Sequence, residues 1–182
     1  MSVTTGNVMR TQNRWIVAAA GVITQMVLGS VYGWSVLKTP LMEARGWSSA
    51  QVGLAFTLLM LSIGVVVATC GRYVDRAGAR KVATLAAILF GSATMLAGVS
   101  SSLDSLWVLW VGYGVIGGVG NGLGYLTPIA VLVRWFTDKR GFITGLAVMG
   151  YGLGGATMGQ IAPLIIPHVG VSATFLLFGV AF

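Results

Sequence analysis

The chain has 182 residues, of which 56% are hydrophobic and 8% charged, with 27 glycines, one cysteine and a formal net charge of +7. Soluble domains carry roughly 25% charged residues, so this composition excludes a water-soluble globular fold and points to an integral membrane protein rich in close-packed helices. The basic excess falls at segment ends and forms no continuous face, which excludes nucleic-acid binding, and Cys70 alone can build neither an internal disulfide nor a metal site.

In chain order, residues 1–14 form a polar tail. A helix needs about 20 apolar residues to cross the hydrocarbon core. Five runs qualify: span 1 over about 15–37, span 2 over 51–70, span 3 over 82–100, span 4 over 106–133 and span 5 over 142–166. Span 1 is too long for the apolar core of a secretory signal, and no A-x-A cleavage site follows it. A sixth run, 171–182, is too short to cross. It is expected to be the start of a truncated sixth helix, with a C-terminal half of the protein lying beyond it.

The loops alternate in charge. Arg10, Arg14, Arg72, Arg76, Arg80, Lys81, Arg134, Lys139 and Arg140 fall on one side, and Lys38 and Arg45 on the other. The positive-inside rule then puts the N-terminus in the cytoplasm. Every acid and base lies at or beyond a span end, so this stretch holds no intramembrane charge that could relay protons or neutralise an anion. Trp15, Trp47, Trp107 and Trp135 fall at expected interfaces, where amphipathic rings settle.

Topology explains why Gly71–Lys81, "GRYVDRAGARK", is basic, but not its spacing. Gly71 and Gly78 can allow close backbone approach or positive φ. Asp75 can accept charge-assisted hydrogen bonds and face a helix N-terminus. The order Gly71, Asp75, Arg76, Gly78, Arg80, Lys81 resembles the G-x-x-x-D-R-x-G signature of the loop between helices 2 and 3 of the major facilitator superfamily, with Ala79 as a departure at a usually basic position. The motifs "GSVYGWSVL", "GLGYLTPIA", "RWFTDKRG" and "GLAVMGYGLGGA" narrow the resemblance to the oxalate/formate antiporter family, which is related to the monocarboxylate porters. The likeness runs from Arg14 to about Pro163. It implies an all-α membrane protein, the N-terminal six-helix bundle of a major facilitator fold. It also implies that Gly71, Asp75, Arg76, Gly78 and Arg80 form a conformational latch against the other half.

For the substrate site, Gln25, Gly29, Tyr32 and Val36 follow helical spacing and are expected on one face of span 1. Trp34 is expected to face lipid or a neighbouring helix. On span 4, Gly114, Gly117, Gly118, Asn121 and Tyr125 make a stripe, with a bend expected near Pro128. Tyr151 opens a Gly-rich turn on span 5. Glycine stripes serve first as packing seams. The resemblance implies that Tyr32, Gln25, Tyr125, Tyr151 and Asn121 line an aromatic cavity for a small organic anion. It further implies a counter-charge in the other half, since an anion in a dry cavity needs a cation or several donors. The whole protein is expected to exchange carboxylates such as oxalate and formate in a bacterial inner membrane, with no cofactor and no enzymatic activity. Monocarboxylate–proton symport is the transport alternative. A non-transporting receptor or assembly protein on the same scaffold is the alternative of another class.

Overall fold

The computed structural model describes residues 13–182, so residues 1–12 of the tail, Arg10 among them, lie outside the described residues. Helices make up almost all of the described chain, and among these residues there is no strand. Five helical stretches are long and apolar enough to cross a membrane: Arg14–Arg45, Ser49–Thr69, Ala79–Ser102, Val108–Trp135 and Arg140–Ala181.

Span 1 consists of α1 (Arg14–Gly29), one 3-10 turn (Ser30–Gly33) and α2 (Trp34–Arg45). The Asn13 side chain caps α1 by accepting from the Trp15 N–H. The helix runs well past Leu37, the last residue of the apolar run, because helicity does not stop where apolarity does. Pro40 is accommodated, and the chain leaves α2 at Gly46 with φ of 67°. Span 2 is α3 (Ser49–Thr69). It starts at a reciprocal capping box, with the Ser48 hydroxyl accepting from the Gln51 N–H and the Gln51 side chain accepting from the Ser48 N–H.

The stretch Gly71–Lys81 is not an open loop. Gly71–Ala77 forms a short helix, α4, and Ala79 begins α5 (Ala79–Ser102), which is span 3. The break between them is Gly78, at φ 87° and ψ 138°, a conformation open to glycine and strained for other residues. Gly71 is different. It sits in the first turn of α4, and a Cβ added there would meet nothing within 4 Å, so neither close approach nor positive φ calls for glycine at that position within this bundle.

Span 4 begins as a ten-residue π-helix, Val108–Gly117, and continues as α6 (Gly118–Trp135) with Pro128 inside it. Its glycine stripe is a packing seam. A Cβ on Gly118 would meet the Leu59 carbonyl oxygen at 2.7 Å, and one on Gly120 would meet the Phe90 nitrogen at 2.6 Å. Span 4 is thereby wedged against spans 2 and 3 at backbone distance.

The last helical run, α7 (Arg140–Ala181), contains one non-helical residue, Gly170, at φ 81°. Spans 5 and 6 are the two parts of α7 on either side of it, so their connection is a single-residue turn. Span 6 packs on span 3, where Gly91 and Gly179 face one another. Trp34 is buried among neighbouring helices: its ring stacks on Tyr113 at 4.8 Å and lies 6.4 Å from Phe56 and 6.3 Å from Phe175. This aromatic group joins spans 1, 2, 4 and 6 into one core.

Candidate substrate site and the basic end of the bundle

The site is built on the 3-10 turn of span 1. Gly29 precedes the 3-10 turn and Gly33 is its last residue, and span 5 presses on both. A Cβ at Gly29 would collide with the Tyr151 carbonyl oxygen, and one at Gly33 with the Met158 side chain. A 3-10 residue advances about 120° round the axis against 100° for an α-residue. Over the three residues to Tyr32 that adds roughly 60°. The face predicted to carry Gln25, Gly29, Tyr32 and Val36 together is therefore divided. Gln25 is fully buried, whereas Tyr32 is 52% exposed.

The turn carries Tyr32 to Tyr151 of span 5. The rings meet edge to face, with centroids 5.4 Å apart and planes at 89°. Tyr125 of span 4 meets the same Tyr151 ring at 5.2 Å and 84°. Three tyrosines from three spans thus form one aromatic wall. In front of it lies a cavity of about 360 Å³, lined also by Met60, Ile63 and Val67 of span 2.

Behind the wall is a polar node. The Tyr151 hydroxyl donates to Asn121 Oδ1 at 2.8 Å, and Asn121 Nδ2 donates to the Leu28 carbonyl at 2.9 Å. Gln25 Nε2 donates to the Tyr125 carbonyl at 3.3 Å, while its buried Oε1 has no partner among the described residues. The structure therefore brings Tyr32, Tyr125 and Tyr151 to the cavity and places Gln25 and Asn121 in the helix packing behind it, both fully buried.

A larger cavity, about 460 Å³, lies between spans 1, 3 and 4 beside the last turn of α7. Its walls are mostly aliphatic. The hydroxyls of Thr24 and Thr127 in its lining donate to their own helices at Ala20 and Leu123, which leaves Arg80 as the charged group at its edge. Unlike the tyrosine cavity, it is lined by no tyrosine.

At the basic end, Asp75 Oδ1 accepts from Arg134 Nη2 at 2.7 Å, tying α4 to the end of α6. In the sequence Arg134 stands out as a topology charge and as the first residue of the motif "RWFTDKRG", with no partner assigned to it. The signal that could have paired it was charge complementarity between two short basic connections. Asp138 binds Arg14 at 3.3 Å, and the Arg14 guanidinium lies 5.3 Å from the centre of the Phe136 ring. Among the described residues, Arg76 and Arg80 take part in no ion pair, and Asp75 Oδ2 accepts no hydrogen bond. Both ion pairs are roughly half exposed, so each is worth about 0–1 kcal/mol and weakens with salt. Among the described residues no group of three or more His, Cys, Asp or Glu converges as a metal site would require.

Comparison with known proteins agrees with this architecture. Residues 15–182 match the family described as Major Facilitator Superfamily. The chain is 34% identical over 176 residues to an uncharacterized MFS-type transporter, YhjX, of Escherichia coli strain K12, covering 97% of this chain and 42% of that protein. It is 32% identical over 170 residues to the oxalate:formate antiporter of Oxalobacter formigenes, covering 92% and 39%. Monocarboxylate transporter 9 of Rattus norvegicus is 25% identical over 167 residues, covering 91% and 32%. The chain spans less than half the length of these curated relatives. Five apolar spans, the glycine-seamed packing and a family match over nearly the whole chain establish that this is an integral, multi-pass membrane protein belonging to the major facilitator superfamily.

Proposed function

We propose that the whole protein is a secondary transporter that exchanges small organic carboxylates by alternating access between two halves, of which this bundle is the N-terminal one. The observation that carries the reading is the convergence of Tyr32, Tyr125 and Tyr151 on one cavity beside the 3-10 turn of span 1. Secondary transporters bind their substrates near the bilayer midplane at the interface between repeats. The likeness to an oxalate:formate antiporter favours a carboxylate. Tyr32 and Tyr125 supply hydroxyl donors and an aromatic surface. No ionised side chain stands in the tyrosine cavity, so the balancing cation comes from the other half. The charge asymmetry of the connections supports a cytoplasmic N-terminus, and the bacterial relatives support an inner-membrane location.

The test is exchange by the purified full-length protein in liposomes. Vesicles loaded with unlabelled oxalate are expected to take up labelled oxalate or formate saturably without an imposed proton gradient. Uptake of lactate that instead needs a proton gradient and no internal carboxylate would favour monocarboxylate–proton symport, for which the likeness to a monocarboxylate transporter speaks. No movement of any carboxylate would overturn both.

In this reading Asp75 and its neighbours close the basic end. Arg134 occupies only one carboxylate oxygen, which leaves the other for a helix N-terminus or donor of the second half. Gly78 supplies the sharp turn that holds α4 at that angle. Asp75→Asn is expected to shift the full-length protein towards the inward-facing state at a stability cost below about 1 kcal/mol. A cysteine at Val148, on the cavity face, in a Cys70→Ser background reads the shift: its labelling from the outside should fall. Unchanged labelling together with unchanged exchange would leave Asp75 a partner of Arg134 alone.

A further inference from the structure

We infer that Asn121 commits the single proton of the Tyr151 hydroxyl inward, so that Tyr151 offers the cavity a ring and no hydrogen-bond donor. Asn121 is thus a positioning residue, acting through Tyr151 and through the turn that carries Tyr32. The consequence for substrate rests on the tyrosine cavity being the substrate site, as proposed above.

The direction of each bond follows from chemistry. The Leu28 carbonyl has only lone pairs to offer, so the end of the Asn121 amide 2.9 Å from it must be the –NH₂. Turning the amide over would set two oxygens against each other. The other end is therefore Oδ1, which carries no proton, and the 2.8 Å contact with Tyr151 must be donated by the phenol. A phenol has one proton. While this bond holds, Tyr151 cannot donate to a ligand.

Burial makes the commitment durable. Asn121 is fully buried and Tyr151 is 7% exposed, so water does not compete for either bond. Breaking the bond would strand an amide oxygen in an apolar interior. Tyr32 and Tyr125 differ: among the described residues their hydroxyls make no hydrogen bond. The donors available at the wall are these two, on either side of the Tyr151 ring.

The same amide also reaches span 1 at its weak point. Leu28 immediately precedes Gly29, the last residue of α1 before the 3-10 turn. One fully buried side chain thereby anchors the middle tyrosine of the wall and the turn that presents Tyr32. Gly124 of α6 keeps span 4 close to span 1 at this point, since a Cβ added there would lie 2.9 Å from the Leu28 side chain.

The experiment is a double-mutant cycle of Asn121→Leu and Tyr151→Phe in the full-length protein, read by thermal unfolding and by oxalate exchange in liposomes. Tyr151→Phe is expected to lower the unfolding temperature and to raise the oxalate KM no more than Asn121→Leu does, and the double variant should lose less stability than the sum of the singles. Asn121→Leu is expected to raise KM about three- to tenfold with kcat largely kept, because the wall and the turn lose their anchor. A KM rise of about tenfold or more in Tyr151→Phe would mean that its hydroxyl reaches the substrate, and would overturn the inference. Strictly additive stability losses would also overturn it, since the bond would then be absent. If the wild-type protein exchanges no carboxylate, the functional reading falls, and the stability cycle alone decides whether Asn121 holds the Tyr151 proton.

Discussion

Gly154→Val is expected to be among the most damaging single substitutions in this bundle. Spans 1 and 5 touch backbone to backbone. A Cβ on Gly154 would collide with the Met26 carbonyl oxygen and lie 2.8 Å from both the Gly29 carbonyl carbon and the Ser30 nitrogen. Four residues earlier, a Cβ on Gly150 would sit 2.8 Å from the Val22 carbonyl oxygen. These neighbours are main chain, not the ends of flexible side chains, so they cannot swing aside. The helices must separate, and the separation acts on the 3-10 turn and on Tyr32. Overpacking a rigid site costs typically 1–3 kcal/mol and sometimes more, and with backbone on both sides the expected loss is about 3 kcal/mol or greater. For a protein of this size that is a fall of roughly 10 °C in unfolding temperature, with much lower yield of folded protein. Gly159→Ala is the control. It lies on the same helix, and its new methyl would meet nothing within 4 Å, so it should be neutral or slightly stabilising. Equal behaviour of the two variants in a detergent unfolding assay would mean that spans 1 and 5 do not pack as described.

Tyr32→Phe is the functional counterpart. It removes one hydroxyl and keeps the ring, so the edge-to-face contact with Tyr151 and the shape of the wall remain. Tyr32 is half exposed and its hydroxyl has no partner among the described residues, so the folded bundle loses nothing. Expression and unfolding temperature should therefore match wild type. If the hydroxyl donates to a bound carboxylate, its loss costs roughly 1.5–3 kcal/mol, or about a ten- to hundredfold weaker affinity. Tyr32→Ala could not separate the two roles, because it would also remove the ring that leans on Tyr151. The measurement is substrate affinity in the purified full-length protein. An affinity within about twofold of wild type would assign Tyr32 to packing or to the interface between halves.

The helical, membrane-spanning fold class was legible because the bilayer imposes a simple rule. Every backbone polar group in hydrocarbon must be satisfied internally, so a long apolar run becomes a helix. The positive φ at Gly78 and the packing role of the span 4 glycines were legible for a related reason: only glycine tolerates those demands, and its placement advertises them. Three tyrosines could be nominated as neighbours because they stood in motifs with a family resemblance. Periodicity alone would not have joined spans 1, 4 and 5, since contacts between helices depend on which faces meet.

Composition and order by themselves determined that this chain is a membrane-spanning helical bundle and which family it belongs to. Those properties follow from local transfer energies and from motifs read in one dimension. Tertiary structure alone decided how Gln25 and Tyr32 differ. Ideal helical geometry puts them on one face, but two glycines under pressure from span 5 tighten the turn between them and rotate Tyr32 to the open side. It also decided that Asp75 pairs with Arg134, 59 residues away, and that Asn121 faces a main-chain carbonyl and a buried phenol. The partners in these bonds lie on different helices, and one is a backbone oxygen that every residue possesses. Nothing in the order of residues marks such an atom. Only the packing of glycine-lined helices brings it within hydrogen-bonding distance of Asn121.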